Sequence, residues 1–141
     1  MTYKILQITN KPPFPEVDGG SLGIAKMSKF YASHSKFELS VFATETHKHP
    51  LDKEAIKNSL PKNTPFDCVF INTKPSWLGA IKAIFINKSY NMTRFNQKVV
   101  RLKLTELLSK NDYDFIQFEN IFVAQYYKLI KKYYNAKIVL N

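Results

Sequence analysis

Ile5-Leu6-Gln7-Ile8-Thr9-Asn10-Lys11-Pro12-Pro13-Phe14-Pro15-Glu16-Val17-Asp18-Gly19-Gly20-Ser21 is the stretch from which the fold is read. Ile5 to Thr9 is too short and too β-branched for a helix and reads as a buried strand. Three prolines between Pro12 and Pro15 can neither donate to a sheet ladder nor enter a helix interior, so the strand stops there. Gly19 and Gly20 allow close backbone approach and positive φ. Ser21 is a good N-cap, and amphipathic sequence follows it at once. Strand, glycine-bearing loop and helix N-terminus together point free backbone N–H groups at an anion, often a phosphate. The same residues also describe an ordinary βα turn kept tight by glycine.

Outward from this stretch, strand and helix patterns alternate. Ser21 to about Ser33 predicts a helix with Ile24, Met27, Phe30 and Tyr31 on one face. Gly23 inside it costs about 1 kcal/mol relative to alanine, which suggests close packing against the first strand. Glu38 to Ala43 predicts a second strand and Leu51 to Leu60 a short helix closed by Pro61. Phe66 to Asn72 predicts a third strand, apolar on both faces as in a sheet covered on each side. From Trp77 to Ile86, apolar residues spread beyond one helical stripe. The more ordinary reading is a buried helix or hairpin over the core. The sharper one is an exposed hydrophobic lip for a lipid-linked acceptor or the membrane interface.

A long helix is predicted from Thr93 to Ser109, burying Phe95, Val99, Leu102, Leu104, Leu107 and Leu108. Asp112-Tyr113-Asp114 turns into a fourth strand, Phe115 to Phe118. Asn120 can cap a helix from Ile121 to Tyr134, and Lys137 to Leu140 is a fifth strand. The alternation, with connections long enough for crossovers, predicts an open parallel α/β sheet. Glu119 and Asn120 fall at the carboxyl end of the fourth strand, where such sheets place their ligands.

The 141 residues make one domain, with 45% hydrophobic and 14% aromatic residues to build a core. Cys68 is the single cysteine, which excludes an internal disulfide and suits a reducing compartment. Its apolar setting predicts a core position and not a nucleophile. Apolar runs reach only four residues, as in Ala83 to Ile86, so nothing spans a bilayer. The N-terminus reads as a strand followed by prolines and not as a leader, and the expected location is cytoplasmic.

Twenty-one basic residues against 11 acidic ones give a net charge of +10, a field that attracts polyanions without choosing among them. His47 and His49 form a His-x-His pair without a carboxylate or cysteine at metal-site spacing, and no metal site is predicted. The sequence has no Gly-x-Ser-x-Gly elbow, P-loop or cysteine pair, and its one glycine pair with three prolines departs from the dinucleotide fingerprint. No cofactor is expected.

Lys4 to Pro15 followed by Asp18-Gly19-Gly20-Ser21 resembles the N-terminus of bacterial family 4-like glycosyltransferases of the GT-B fold. Lys88 to Phe95, Phe115 to Glu119 and Ala136 to Leu140 fall in the order that the resemblance requires. It covers residues 1–141, but only the first domain of such an enzyme. What it implies is a Rossmann-like sheet of order 3-2-1-4-5 with helices on both faces. The switch point between strands one and four would bring the glycine loop and Glu119 to one crevice. It further implies metal-independent transfer of a hexose from a nucleotide-sugar donor to a glycan or lipid-linked acceptor in cell-surface polysaccharide synthesis.

Carried onto this sequence, Gly19, Gly20 and Ser21 would face the donor diphosphate. Glu119 would orient or deprotonate the acceptor hydroxyl, and Asp18, Arg94 and Asn120 would hold the acceptor. Family members continue into a second domain that binds most of the donor. The 141-residue chain is therefore expected to be an incomplete GT-B half, inactive alone, with peripheral contact to anionic membrane at the inner face of the plasma membrane. The alternative is a non-enzymatic basic α/β module for nucleic acid, anionic membrane or a protein partner. Nucleic acid is disfavoured, because helix-turn-helix, zinc and RNA-binding signatures are missing.

Overall fold

The computed structural model describes residues 1–77, 81 and 89–141, without the side chain of Tyr133. Along the described residues run β1 (Tyr3–Thr9), α1 (Gly19–Ser33), β2 (Phe37–Glu45), α2 (Lys53–Ser59) and β3 (Phe66–Phe70). They are followed by α3 (Tyr90–Phe95), α4 (Lys98–Lys110), β4 (Phe115–Phe118), α5 (Ile121–Ala124), α6 (Tyr127–Tyr133) and β5 (Lys137–Leu140). The strands form one all-parallel open sheet, as the alternation predicts, in the Rossmann-like order β3-β2-β1-β4-β5 that the resemblance implies.

Strand alternation divides the core in two. Ile5, Leu39 and Val41 face α1 and α2, where Ala25, Leu60 and Phe14 complete a cluster. Leu6, Ile8, Phe42, Ile116 and Phe118 face the other way, against Val100, Leu104 and Leu108 of α4 and Ile130 of α6. Burying both faces of β1, β2 and β4 is what fixes their register, since a one-residue slip would turn each core residue to the wrong layer.

Several elements depart from the sequence reading. α1 begins at Gly19, and its N-cap is Asp18 instead of Ser21, which sits at the third helical position. The Asp18 carboxylate accepts from Ser21 N (2.7 Å) while the Ser21 hydroxyl receives Asp18 N–H (3.0 Å), a reciprocal capping box. Among the described residues no glycine has positive φ. The buried face of α1 is Ser21, Ile24, Ala25 and Ser28, whereas Phe30 is half exposed. An added Cβ at Gly23 would meet nothing within 4 Å, so the close packing expected there is not found.

The helix expected from Thr93 to Ser109 is two helices broken at Asn96-Gln97. Gln97 spends its side-chain amide on the carbonyls of Asn72 and Arg94, and its backbone N–H on the Tyr126 hydroxyl. The break resets the helical phase, leaving Val99 and Leu102 exposed. The helix after Asn120 likewise divides into α5 and α6. β3 is an edge strand, so its residues are only half buried, Cys68 among them. Of the Trp77–Ile86 stretch only Trp77 and Ile81 are described, and both are exposed. The buried-cover and hydrophobic-lip readings otherwise fall outside the described residues.

Candidate functional site

Parallel strands deliver their carboxyl ends to one edge of the sheet, and the loops that leave β1, β2 and β3 there enclose a cleft of about 480 Å³. Asn10 and Lys11 come from the first loop, Thr46 to His49 from the second, and Thr73 to Pro75 from the third. Asn91, Arg94 and Phe95 of α3 and Phe122 of α5 close the other side. The lining thus holds Lys11, Lys48, Lys74 and Arg94 with two histidines and, among the described residues, no carboxylate. A cavity of one sign concentrates counter-ions of the other.

Arg94 is fixed before any ligand arrives. Its Nη1 donates to the Thr73 carbonyl (2.8 Å), its Nη2 to Asn91 Oδ1 (3.0 Å), and its guanidinium lies 5.3 Å from the Tyr90 ring centroid. Nε is buried and has no hydrogen-bond partner among the described residues; the same holds for Oδ1 of Asn10. The Phe95 and Phe122 rings stack at 5.0 Å, giving the cleft one apolar wall. His49 closes a tight turn with Thr46 through two backbone bonds of 3.1 Å. Burial, with the charges of Lys11 and Lys48, pushes the His49 imidazole below its usual range, and Asp18 opposes this in part.

Lys11 links the cleft to α1. The loop that carries it is held by Thr9 Oγ1, which donates to the Lys11 carbonyl (2.7 Å), and by Phe14, buried in the α1–α2 core. The Lys11 ammonium lies 2.6 Å from the Asp18 carboxylate. It also lies 2.9 Å from where a Cβ on Gly20 would be. The first amides of α1 therefore open beside a cation, while the Ser21 amide is already committed to Asp18. The hydrogen bond from Lys11, and then that from the Ser21 amide, hold the Asp18 carboxyl well below the usual carboxylate range.

Glu119 does not line this cleft. It is buried on the α1 side of the sheet, where Oε1 accepts from Gln7 Nε2 and Gln117 Nε2 (both 2.6 Å) and Oε2 from Asn141 Nδ2 (2.8 Å). Ser28 and Tyr31 of α1 donate their hydroxyls to the two glutamine oxygens (2.6 Å each), which turns both amide nitrogens toward Glu119. Burial, then the Glu119 charge, pushes the Tyr31 phenol up. The expected meeting of the glycine loop and Glu119 in one crevice is thus replaced by a meeting of the glycine loop and Lys11. Asn120 is the N-cap of α5, its Oδ1 accepting from Phe122 N (2.8 Å). A second cleft, of about 470 Å³, lies at the opposite edge among Lys4, Glu38 and Asp112, where charges are mixed.

Comparison with solved structures places this geometry. Over 99% of its length the chain superposes on UGT2 of Phytolacca americana, solved with UDP-2-fluoro-glucose and pterostilbene, at TM-score 0.60 and 17% identity. It does so on TcCGT1, solved with UDP, at TM-score 0.58 and 10% identity, again over 99% of its length. The chain shares its fold with one part of each of these two proteins. The chain spans only 31% and 28% of those two proteins. The same fold occurs in the C-terminal domain of a hydrogenase from Pyrococcus furiosus, at TM-score 0.61 and 16% identity, over 99% of this chain and 90% of that one. No family model and no curated protein matches the sequence.

Of the residues named from sequence, Arg94 enters the cleft, Asp18 and Gly20 border it through Lys11, and Glu119 and Asn120 are engaged elsewhere. Lys11, Lys48, Lys74 and Asn10 were not foreseen. A usable signal existed, since each of the first three strands is followed within a few residues by a lysine. Among the described residues no helix is long and apolar enough to cross a membrane, and no group of three or more His, Cys, Asp or Glu could hold a metal ion.

Proposed function

We propose that this chain is the acceptor-side domain of a family 4-like GT-B glycosyltransferase, working with a donor-binding domain to move a hexose from a nucleotide sugar. The observation that carries the reading is the cationic cleft at the carboxyl edge of the sheet, opening beside the first turn of α1. The free amides of Gly19 and Gly20, with Lys11, are placed to neutralise the charge that develops on a diphosphate leaving group. Ser21 contributes by fixing the turn through its capping box, and Asp18 by holding Lys11 in place. Arg94 holds the acceptor. Glu119 supports the architecture as a positioning residue, because its oxygens are occupied. The substrates are a nucleotide-sugar donor, bound mostly outside this domain, and a glycan or lipid-linked acceptor.

Amide NMR of the 141-residue chain with UDP tests this. Shifts at Gly19 and Gly20, with no sugar transfer by the chain alone, are expected. Unmoved glycines, or turnover without a second domain, would overturn the assignment. A second reading, a basic non-enzymatic module, draws support from the net charge of +10 and from the occurrence of the fold outside glycosyltransferases. Tight binding of random oligonucleotides at physiological salt would favour it.

A further inference from the structure

We infer that the cleft selects an acceptor carrying both a phosphoryl group and a free hydroxyl, the phosphoryl oxygen taking the Nε–H of Arg94 and the hydroxyl donating to Oδ1 of Asn10. The inference rests on the acceptor-side reading above and names the substrate class. Two residues that line one cavity each carry a buried polar atom without a partner among the described residues, a donor on Arg94 and an acceptor on Asn10. Buried polar groups are ordinarily paired, so both point to what the cavity holds.

A neutral sugar would satisfy both atoms but would leave Lys48, Lys74 and Arg94 without a counter-charge among the described residues, since Asp18 answers only Lys11. A monoanion would answer only part of that charge. A phosphoryl group carries up to two negative charges and several acceptor oxygens, and planar guanidinium chemistry suits it. With one N–H of each of Nη1 and Nη2 tied to Thr73 and Asn91, the head is held in place and the buried Nε–H is a donor that no described residue takes. Lys48 and Lys74 add unspecific attraction, and the stacked Phe95–Phe122 pair offers an apolar face for the ligand's carbon frame. A cavity of about 480 Å³ accommodates a polyol phosphate or a headgroup of that size. The phosphoryl group can belong to a soluble polyol phosphate or to a phospholipid headgroup.

The test is the arginine Nε–H correlation spectrum of the full chain, titrated with sn-glycerol 3-phosphate, with glycerol, and with phosphatidylcholine vesicles with or without phosphatidylglycerol. A saturable shift of the Arg94 Nε–H with glycerol 3-phosphate but not glycerol is expected. Arg94→Lys should weaken binding about tenfold. Arg94 also braces the Thr73 loop, so the Lys48→Gln/Lys74→Gln variant serves as a control that leaves this brace intact; roughly fivefold weakening is expected from it. Binding only to phosphatidylglycerol vesicles assigns a lipid source, and binding of the soluble ester a free one. An Arg94 resonance indifferent to all phosphoryl probes, or equally shifted by glycerol, overturns the inference. If UDP still moves Gly19 and Gly20 in that event, the acceptor-domain reading survives; if glycerol 3-phosphate binds and UDP does not, only that reading falls.

Discussion

The Lys11 ammonium, 2.6 Å from the Asp18 carboxylate, fills the space that any side chain at Gly20 would claim. Gly20 is thereby explained by what crosses it, because no positive φ requires a glycine there; a Cβ on Gly19 would meet nothing within 4 Å. Gly23, by contrast, faces open space within α1. Gly23→Ala should therefore stabilise the fold by about 1 kcal/mol through helix propensity alone. Gly20→Ala should fail to match that gain, since the Lys11 ammonium must shift from its place beside Asp18 to make room. Urea unfolding of the two variants decides it, and equal gains would show that Lys11 is not held.

Asp18 acts as both helix cap and counter-ion. Asp18→Ala should cost about 1 kcal/mol, typical of a lost cap. Asp18→Asn keeps a capping oxygen and discards the charge, which isolates the ionic part. Because the folded carboxyl sits below its ordinary value of 3.8, the charge adds stability above that pH and loses it as acid protonates the folded state. Asp18 is exposed enough for solvent to screen the pair, so the gap should be small. The difference between wild type and Asp18→Asn should shrink as pH falls below 3.8 and vanish in high salt. A gap independent of pH would remove the charge from the account.

Glu119 gathers three amide donors inside the sheet–α1 layer. Truncation to alanine strands the buried amides of Gln7 and Gln117, while exposed Asn141 can turn to solvent, and each unsatisfied buried donor carries a desolvation cost. Glu119→Ala should lose about 3 kcal/mol of stability. Glu119→Gln should also destabilise, because one of its two terminal atoms becomes a donor facing donors. A thermal melt of Glu119→Gln identical to wild type would free this carboxylate for chemistry.

The strands themselves and the ends of β4 and β5 are legible in the sequence because apolar patterning and bounding turns are local signals, whereas the strand order came from the family resemblance. Helix breaks were not. The interruption at Gln97 depends on carbonyls of Asn72 and Arg94 that only the tertiary fold brings within reach. The buried face of α1 was misread for a related reason. Ser28 looks like a surface residue until Gln7, itself a polar residue in a buried strand, supplies its partner. The site was half legible. Arg94 and the glycine loop announce themselves by motif, but Lys11, Lys48 and Lys74 become a site only when three crossover connections set their loops side by side.

Cys68 on the edge strand β3 is half buried, and burial together with the charges of Glu45 and Asp67 pushes its thiol up to about 12. The thiolate is the reactive form, so the folded protein should be nearly inert. Reaction with a disulfide reagent at pH 8 should run about a hundredfold slower in the folded chain than in urea. Fast labelling of the native protein would mean that β3 opens readily at the sheet edge.

His49 offers a pH-dependent readout of the cleft. Three charges bear on its ring: Lys11 from the loop after β1, Lys48 beside it, and Asp18 at the head of α1. With burial, the two lysines favour the neutral imidazole, so the folded state binds its proton less readily than the unfolded chain. Stability should therefore rise with pH through the window just below 6.5 and be lower on its acid side. An NMR titration of the His49 ring should give a midpoint below 6.5, moved upward by Lys48→Gln. Glycerol 3-phosphate should move it upward as well, since a bound anion favours the protonated ring and binding then takes up a proton. A midpoint at or above 6.5 in the free protein, or one that the anion leaves in place, would separate His49 from the cationic cleft.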